Sequence, residues 1–171
     1  MGGKIVEVRG SKKISMKELK KLLNITSRRI RPPHLVGRIH WTGGMASGFT
    51  DCQTYVFVDF LTGANMSYRK EIIKKIGGFS PIYKGTFFGF ETDLGIRVKK
   101  LGYKILFSPK AIVFHRRAMK GGARVNVMDW YYWHGRNSSI FILKNLDKKL
   151  FKLTIFTFRR LYSILKKSNF C

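Results

Sequence analysis

A chain of 171 residues is long enough to bury one hydrophobic core but not two of comparable size. Hydrophobic residues make up 44% of it and aromatic residues 14%, which excludes a disordered chain despite a net charge of +25. No stretch approaches the roughly 18 uninterrupted apolar residues of a spanning helix, so a polytopic membrane protein is excluded too.

Taken in chain order, Lys4-Ile5-Val6-Glu7-Val8-Arg9 alternates loosely and predicts a short strand within residues 1–10. The opening residues hold no long apolar run, which predicts that no secretory signal is present. Ser15, with Glu18 three positions on, predicts a capped helix over residues 16–23, with Met16, Leu19, Leu22 and Leu23 at helical spacing. Arg31-Pro32-Pro33-His34 ends regular structure, and Gly43, Gly44 and Gly48 predict a turn-rich loop beside Trp41. The aromatic and β-branched residues 54–61 predict a buried strand, stopping at the turn Thr62-Gly63-Ala64-Asn65-Met66. A short helix over 70–76 is closed by Gly77-Gly78, and a loop over 81–89 follows. A second helix is predicted over 93–101, with Leu94, Val98 and Leu101 on one face and Gly102 beyond its end. Two short strands, 104–107 and 111–115, are separated by Ser108-Pro109. The glycines at 121 and 122 form a loop, and helical character resumes over 127–146 and 148–167. Strands alternating with helices predict an α/β layer architecture.

The charge is spread along the chain, at +8 over residues 1–33, +11 over 34–144 and +6 over 145–171, so no single basic tail carries it. Such a balance points to an anionic partner: nucleic acid, a lipid headgroup layer or a phosphorylated substrate. No zinc finger, RNP-type strand or glycine-loop RNA motif is present, which weighs against nucleic acid. Cys52 and Cys171 show neither metal-ligand spacing nor a disulfide framework, which fits a reducing cytoplasm.

The chemistry concentrates in Gly89-Phe90-Glu91-Thr92-Asp93-Leu94-Gly95-Ile96-Arg97, which holds two of the nine acids at a loop-to-helix junction. Thr92 or Asp93 suits a helix cap, and a carboxylate in a first turn offsets the macrodipole. Glu91, read as lying just outside the helix, is harder to explain as a cap and can accept a proton from a substrate hydroxyl. Trp130, Tyr131 and Trp133 suit either helix-core packing or stacking on sugar or lipid, and Trp41 is a candidate on the acceptor side.

Upstream of this segment stand Gly63-Ala64-Asn65-Met66-Ser67-Tyr68-Arg69 and Gly77-Gly78-Phe79. Downstream stand Pro109-Lys110-Ala111-Ile112-Val113-Phe114-His115, then Arg136-Asn137 with Lys144-Asn145. That order resembles the C-terminal half of family 2 glycosyltransferases of the GT-A fold, across residues 34–146. There a strand ends in G-x-N-M-x-x-R, a helix ends in G-G-F, and an acidic E-D-x-D-L-x-x-R element follows. A P-x-A-x-V-x-H segment and a helical R-N…K-N segment come after it. The resemblance implies that residues 1–146 form a partial GT-A-like α/β domain, a mixed sheet with flanking helices, followed by a helical extension over 147–171.

Carried over by residue, Glu91 falls on the second acid of the E-D pair, the general base, while Phe90 stands where the first acid would be. Asp93 matches the next acid, and Arg97 matches the arginine one turn on, toward the nucleotide cofactor. Gly63 and Asn65 match the strand-end turn on the acceptor side; as residues they also suit a plain turn. His115 matches a histidine able to ligate the divalent metal, and equally suits an ordinary strand-end hydrogen bond. No D-x-D motif occurs, so the resemblance implies that nucleotide-sugar and Mg or Mn enter only in a complete enzyme with an N-terminal half, this chain being a truncated gene product, one piece of a split enzyme or an acceptor-binding remnant. The expected reaction is then inverting sugar transfer to a glycan or lipid-linked acceptor. The basic, apolar tail over 150–162 suits either packing onto the domain or lying in an anionic membrane interface, which would place the protein at the inner face of the membrane. The alternative to a transferase is a non-enzymatic binder of nucleic acid or another polyanion.

Overall fold

Ile105-Leu106-Phe107 is the apolar start of the longest strand, and the sheet is assembled on both its edges. The computed structural model describes residues 1–8, 15–18, 21, 32–46, 49, 52–116 and 124–168. The predicted loop at 121–122, part of the predicted helix over 16–23, and Cys171 lie outside these residues. At the start of that helix the capping box forms: the Ser15 amide donates to Glu18 Oε2 at 2.8 Å, and the Glu18 amide donates to Ser15 Oγ at 3.3 Å.

The strands are β1 (Gly2–Val8), β2 (Arg38–Ile39), β3 (Met45–Ala46), β4 (Val56–Val58) and β5 (Ile105–Arg116). The helices are α1 (Lys70–Lys75), α2 (Phe90–Lys100), α3 (Val127–Asn145) and α4 (Lys149–Ser168), with 3-10 turns at Pro33–Leu35 and Gly63–Asn65. One sheet has the order β1-β5-β4, parallel between β1 and β5 and antiparallel between β4 and β5; β2 and β3 form a separate hairpin. The architecture is therefore mixed α/β around a small three-stranded mixed sheet.

Three sequence expectations are corrected. The break at Ser108-Pro109 is a bulge inside one continuous strand, where the ladder jumps from Gly3 opposite Ser108 to Lys4 opposite Ile112. Pro109 has no N–H to offer a ladder, so the chain loops out there and resumes pairing. The Asn65 amide group fills the gap, donating to the Lys4 carbonyl at 3.0 Å and the Ala111 carbonyl at 2.9 Å. The strand predicted over 54–61 is only Val56–Val58, an edge strand with Tyr55 54% and Phe57 53% exposed. It ends where Asp59 turns to other partners, its amide donating to the Gly37 carbonyl at 2.7 Å. Leu101, placed on the apolar face of the second helix, is exposed.

Val58, Phe60, Leu61, Ile105 and Phe107 form one buried cluster with Val36, Phe49, Cys52 and Val98. Tyr83, Phe141 and Ile142 form another, against which Phe90, Ile96, Leu153 and Phe156 pack. Helix α2 thus stands between the two, sending Val98 to the first and Phe90 and Ile96 to the second. It lies directly on the backbone leaving β4, since a methyl on Gly95 would overlap the Asp59 carbonyl. Asp59 adds a charged tie, pairing with Lys99 of α2 and with Arg38 at 3.6 Å, and accepting from the Ile39 amide at 3.0 Å. Helices α3 and α4 fold back on each other across residues 146–148, setting Arg160 over the rings of Trp130 and Tyr131. Among the described residues, no helix is long and apolar enough to cross a membrane.

Candidate functional site

Helix α2 begins at Phe90, three residues before its predicted start, so Glu91 and Asp93 both lie in its first turn. Neither Thr92 nor Asp93 caps it. The N-cap is Gly89, held at φ 88°, a left-handed conformation that glycine adopts without steric cost and that reverses the chain from the preceding loop into the helix. Its carbonyl accepts from the Asp93 amide at 2.9 Å.

Glu91 is half-buried and faces the strand-end turn, where its Oε1 accepts from the Gly63 amide at 3.0 Å. A Cβ on residue 63 would stand 3.0 Å from that same oxygen, so any larger residue there crowds the carboxylate. Burial pushes the Glu91 carboxyl up, outweighing the stabilisation of its charge by the Gly63 amide and its own amide. Tyr68 shares this surface; its hydroxyl is pushed up to about 12, by burial first and then by the charge of Glu91. The hydroxyl oxygen is buried and has no hydrogen-bond partner among the described residues.

Asp93 is fully buried and saturated with partners. Its Oδ1 accepts from Asn145 Nδ2 at 2.9 Å and the Tyr83 hydroxyl at 3.3 Å, and pairs with Lys144 Nζ at 2.9 Å; its Oδ2 accepts from Arg97 Nε at 2.9 Å. Burial alone would raise the carboxyl, but the hydrogen bonds of Asn145 and Lys144, with the charges of Arg97 and Lys144, hold it below the ordinary carboxylate range. Tyr83 is driven far above the usual phenol value by burial and by the Asp93 charge. Arg97 Nη1 also donates to the Ile76 carbonyl at 2.7 Å, while its Nη2 is buried without a hydrogen-bond partner among the described residues.

The R-N…K-N residues of α3 complete this framework. Arg136 donates to the Ile82 carbonyl at 2.9 Å and Asn137 to the Lys84 carbonyl at 2.8 Å, while Lys144 donates to Ser80 Oγ at 3.1 Å. Tyr83, Lys144 and Asn145 are the site residues that sequence reasoning missed as partners of Asp93. A signal existed for two of them: Asn137, Lys144 and Asn145 are two helical turns apart and so share one face.

Gly63 and Glu91 meet directly, and Asn65 closes the same turn. His115 stands elsewhere, exposed near the end of β5 and opposite Glu7 in the ladder. It is four residues beyond Ala111, the carbonyl that Asn65 reaches, or about 13 Å along an extended strand. Trp41 is 62% exposed in the turn between β2 and β3, its ring 5.5 Å from that of His40. Among the described residues, no three His, Cys, Asp or Glu side chains gather in a way that could hold a metal ion. Trp130 is 41% exposed rather than in the core; Trp133 lies against Gly85 beneath the Arg136 guanidinium.

In comparison with known proteins, no family model matches this chain, and no curated protein or solved structure matches it.

Proposed function

We propose that this chain is the acceptor-side half of a family 2 glycosyltransferase with a GT-A-like fold, with Glu91 as general base in inverting transfer to a glycan or lipid-linked acceptor. The observation that carries this reading is the Glu91 carboxylate, half-buried and held through one oxygen by the Gly63 amide of the strand-end turn. Its raised proton affinity suits it to take a proton from a sugar hydroxyl. As the O–H bond breaks toward Glu91, the acceptor oxygen bonds to the anomeric carbon, whose bond to the nucleoside diphosphate breaks with the electron pair leaving on the diphosphate. Asp93 and Arg97 act in this reading as positioning residues, because the Asp93 carboxylate and the Nε and Nη1 of Arg97 are engaged in fastening α2 to α3 and to the end of α1.

His115 alone is not a donor set for a divalent metal, so no step here runs through one. Nucleotide-sugar and metal belong, in this reading, to a complementary nucleotide-binding half. The test is Glu91→Gln in an enzyme reconstituted with such a half. Turnover is expected to fall by about 10²–10⁴-fold, the range for a lost general base, with donor binding retained. Unchanged turnover removes Glu91 from the role.

A further inference from the structure

Beside the second core cluster, which Phe156 also packs against, a cavity of about 220 Å³ opens between the turn joining β2 to β3 and the middle of α4. Thr42, Gly44, Phe156, Arg159, Arg160 and Ser163 line it, two of them arginines, and none of the six is acidic. Like charges adjacent in sequence repel, and here no lining carboxylate offsets them.

Both arginines are held in place before any ligand arrives. Arg159 Nη1 donates to Thr42 Oγ1 at 3.4 Å, across the cleft, and Thr42 is itself fixed by the 2.9 Å contact of its hydroxyl with His40 Nδ1. Arg160 lies over Trp130 and Tyr131, 5.2 and 4.9 Å from their ring centroids. Its Nη2 is buried and has no hydrogen-bond partner among the described residues. A guanidinium group on a cavity wall suits a tetrahedral oxyanion, which can accept from its fork of donors. His134, its ring tilted against that of Trp130, is held down to about 4 by burial and then by the Arg160 charge, so it adds no competing cation at neutral pH.

We propose that this cavity is a phosphate-binding site, with Arg159 and Arg160 as the charged donors, Ser163 as a hydroxyl donor and Thr42 positioning Arg159. The site is independent of the transferase reading, since it uses none of the residues around Glu91. Its phosphate has two sources by chemistry: the headgroup of a lipid, which the exposed apolar residues Phe158, Leu161 and Tyr162 beside it would accommodate, or a soluble phosphate.

The test is titration of the full chain with orthophosphate, followed by calorimetry and by the fluorescence of Trp130 beneath Arg160. Saturable binding is expected. Arg159→Gln and Arg160→Gln should each weaken it by about tenfold or more, the loss of a charge-assisted hydrogen bond. Thr42→Val keeps the full charge and the aromatic stack, and should weaken binding about threefold. Lys149→Gln removes the same charge from the exposed start of α4 and should leave binding unchanged. Absence of saturable binding, or an equal loss in Lys149→Gln and Arg160→Gln, overturns the site. Vesicles of phosphatidylcholine with phosphatidic acid separate the sources. Release of the protein both by orthophosphate and by Arg160→Gln assigns the cavity to a headgroup. Vesicle binding that neither disturbs, beside saturable orthophosphate binding, assigns it to soluble phosphate.

Discussion

The two sides of the first turn of α2 carry carboxylates two residues apart, and their surroundings give those carboxylates opposite character. Asp93 points into the seam with α3, where a lysine, an arginine, an amide and a phenol satisfy it. Glu91 points to the strand-end turn, where the Gly63 amide and its own amide stabilise its charge and burial works against it. The first group fastens the helix; the second retains proton affinity that chemistry can use. Proximity on a helix therefore says little about role, because the partners facing each side decide it.

The sharpest way to break this contrast is Asp93→Ala, which leaves Lys144 and Arg97 without their shared anion. A loss of about 3–5 kcal/mol is expected from removing one member of a buried charge network, measured by urea unfolding; a loss below about 1 kcal/mol would remove Asp93 from the fastening role. Asn65→Ala comes next. It strips the donor from two carbonyls at the β1–β5 bulge and should cost about 1–3 kcal/mol, with faster amide exchange along β1.

Stability against pH gives a third, signed test. Asp93 has its folded pKa lowered, so its contribution is present above the ordinary aspartate value of about 3.9 and is lost as pH falls through the folded value. Glu91 has its folded pKa raised, so it favours the folded state most below the ordinary glutamate value of about 4.3 and loses that contribution as pH rises through the folded value. Asp93→Asn should flatten the acid loss, and Glu91→Gln should flatten the decline on the other side; equal effects in one direction would refute the contrast. The smallest effect is expected from Gly63→Ala, which places a methyl 3.0 Å from Glu91 Oε1 and displaces the carboxylate while costing less than about 1 kcal/mol of stability. Carboxylate NMR should show the Glu91 titration move while that of Asp93 stays.

Local signals read well in this chain. The stop at Gly77-Gly78 is met by positive φ at both glycines, and Ser15 and Glu18 form their reciprocal cap. Helices α3 and α4 fall close to their expected spans because long periodic segments carry their own evidence. What failed depended on partners distant in sequence. Pro109 reads as a terminator unless Asn65, which bridges the resulting bulge, is known to lie beside it. Tyr55 and Phe57 read as buried until β4 is seen to be an edge. Glu91 stands out in the sequence as chemically available, but its meeting with Gly63, 28 positions away, is seen only in the fold. The commitment of Asp93 to Lys144 and Asn145 spans some fifty positions, beyond the reach of any local pattern.

The pairing of β1 with β5 also sets a timetable. Gly2 meets Phe107, more than a hundred residues later, and the register runs on to Val8 opposite Arg116. At a synthesis rate of about 5–20 residues per second, β1 waits on the order of 5–20 s for the strand that completes it. Strand β1 thus leaves the ribosome well before the strand it pairs with, and a chaperone that shelters it during that interval would act on yield without altering the finished molecule.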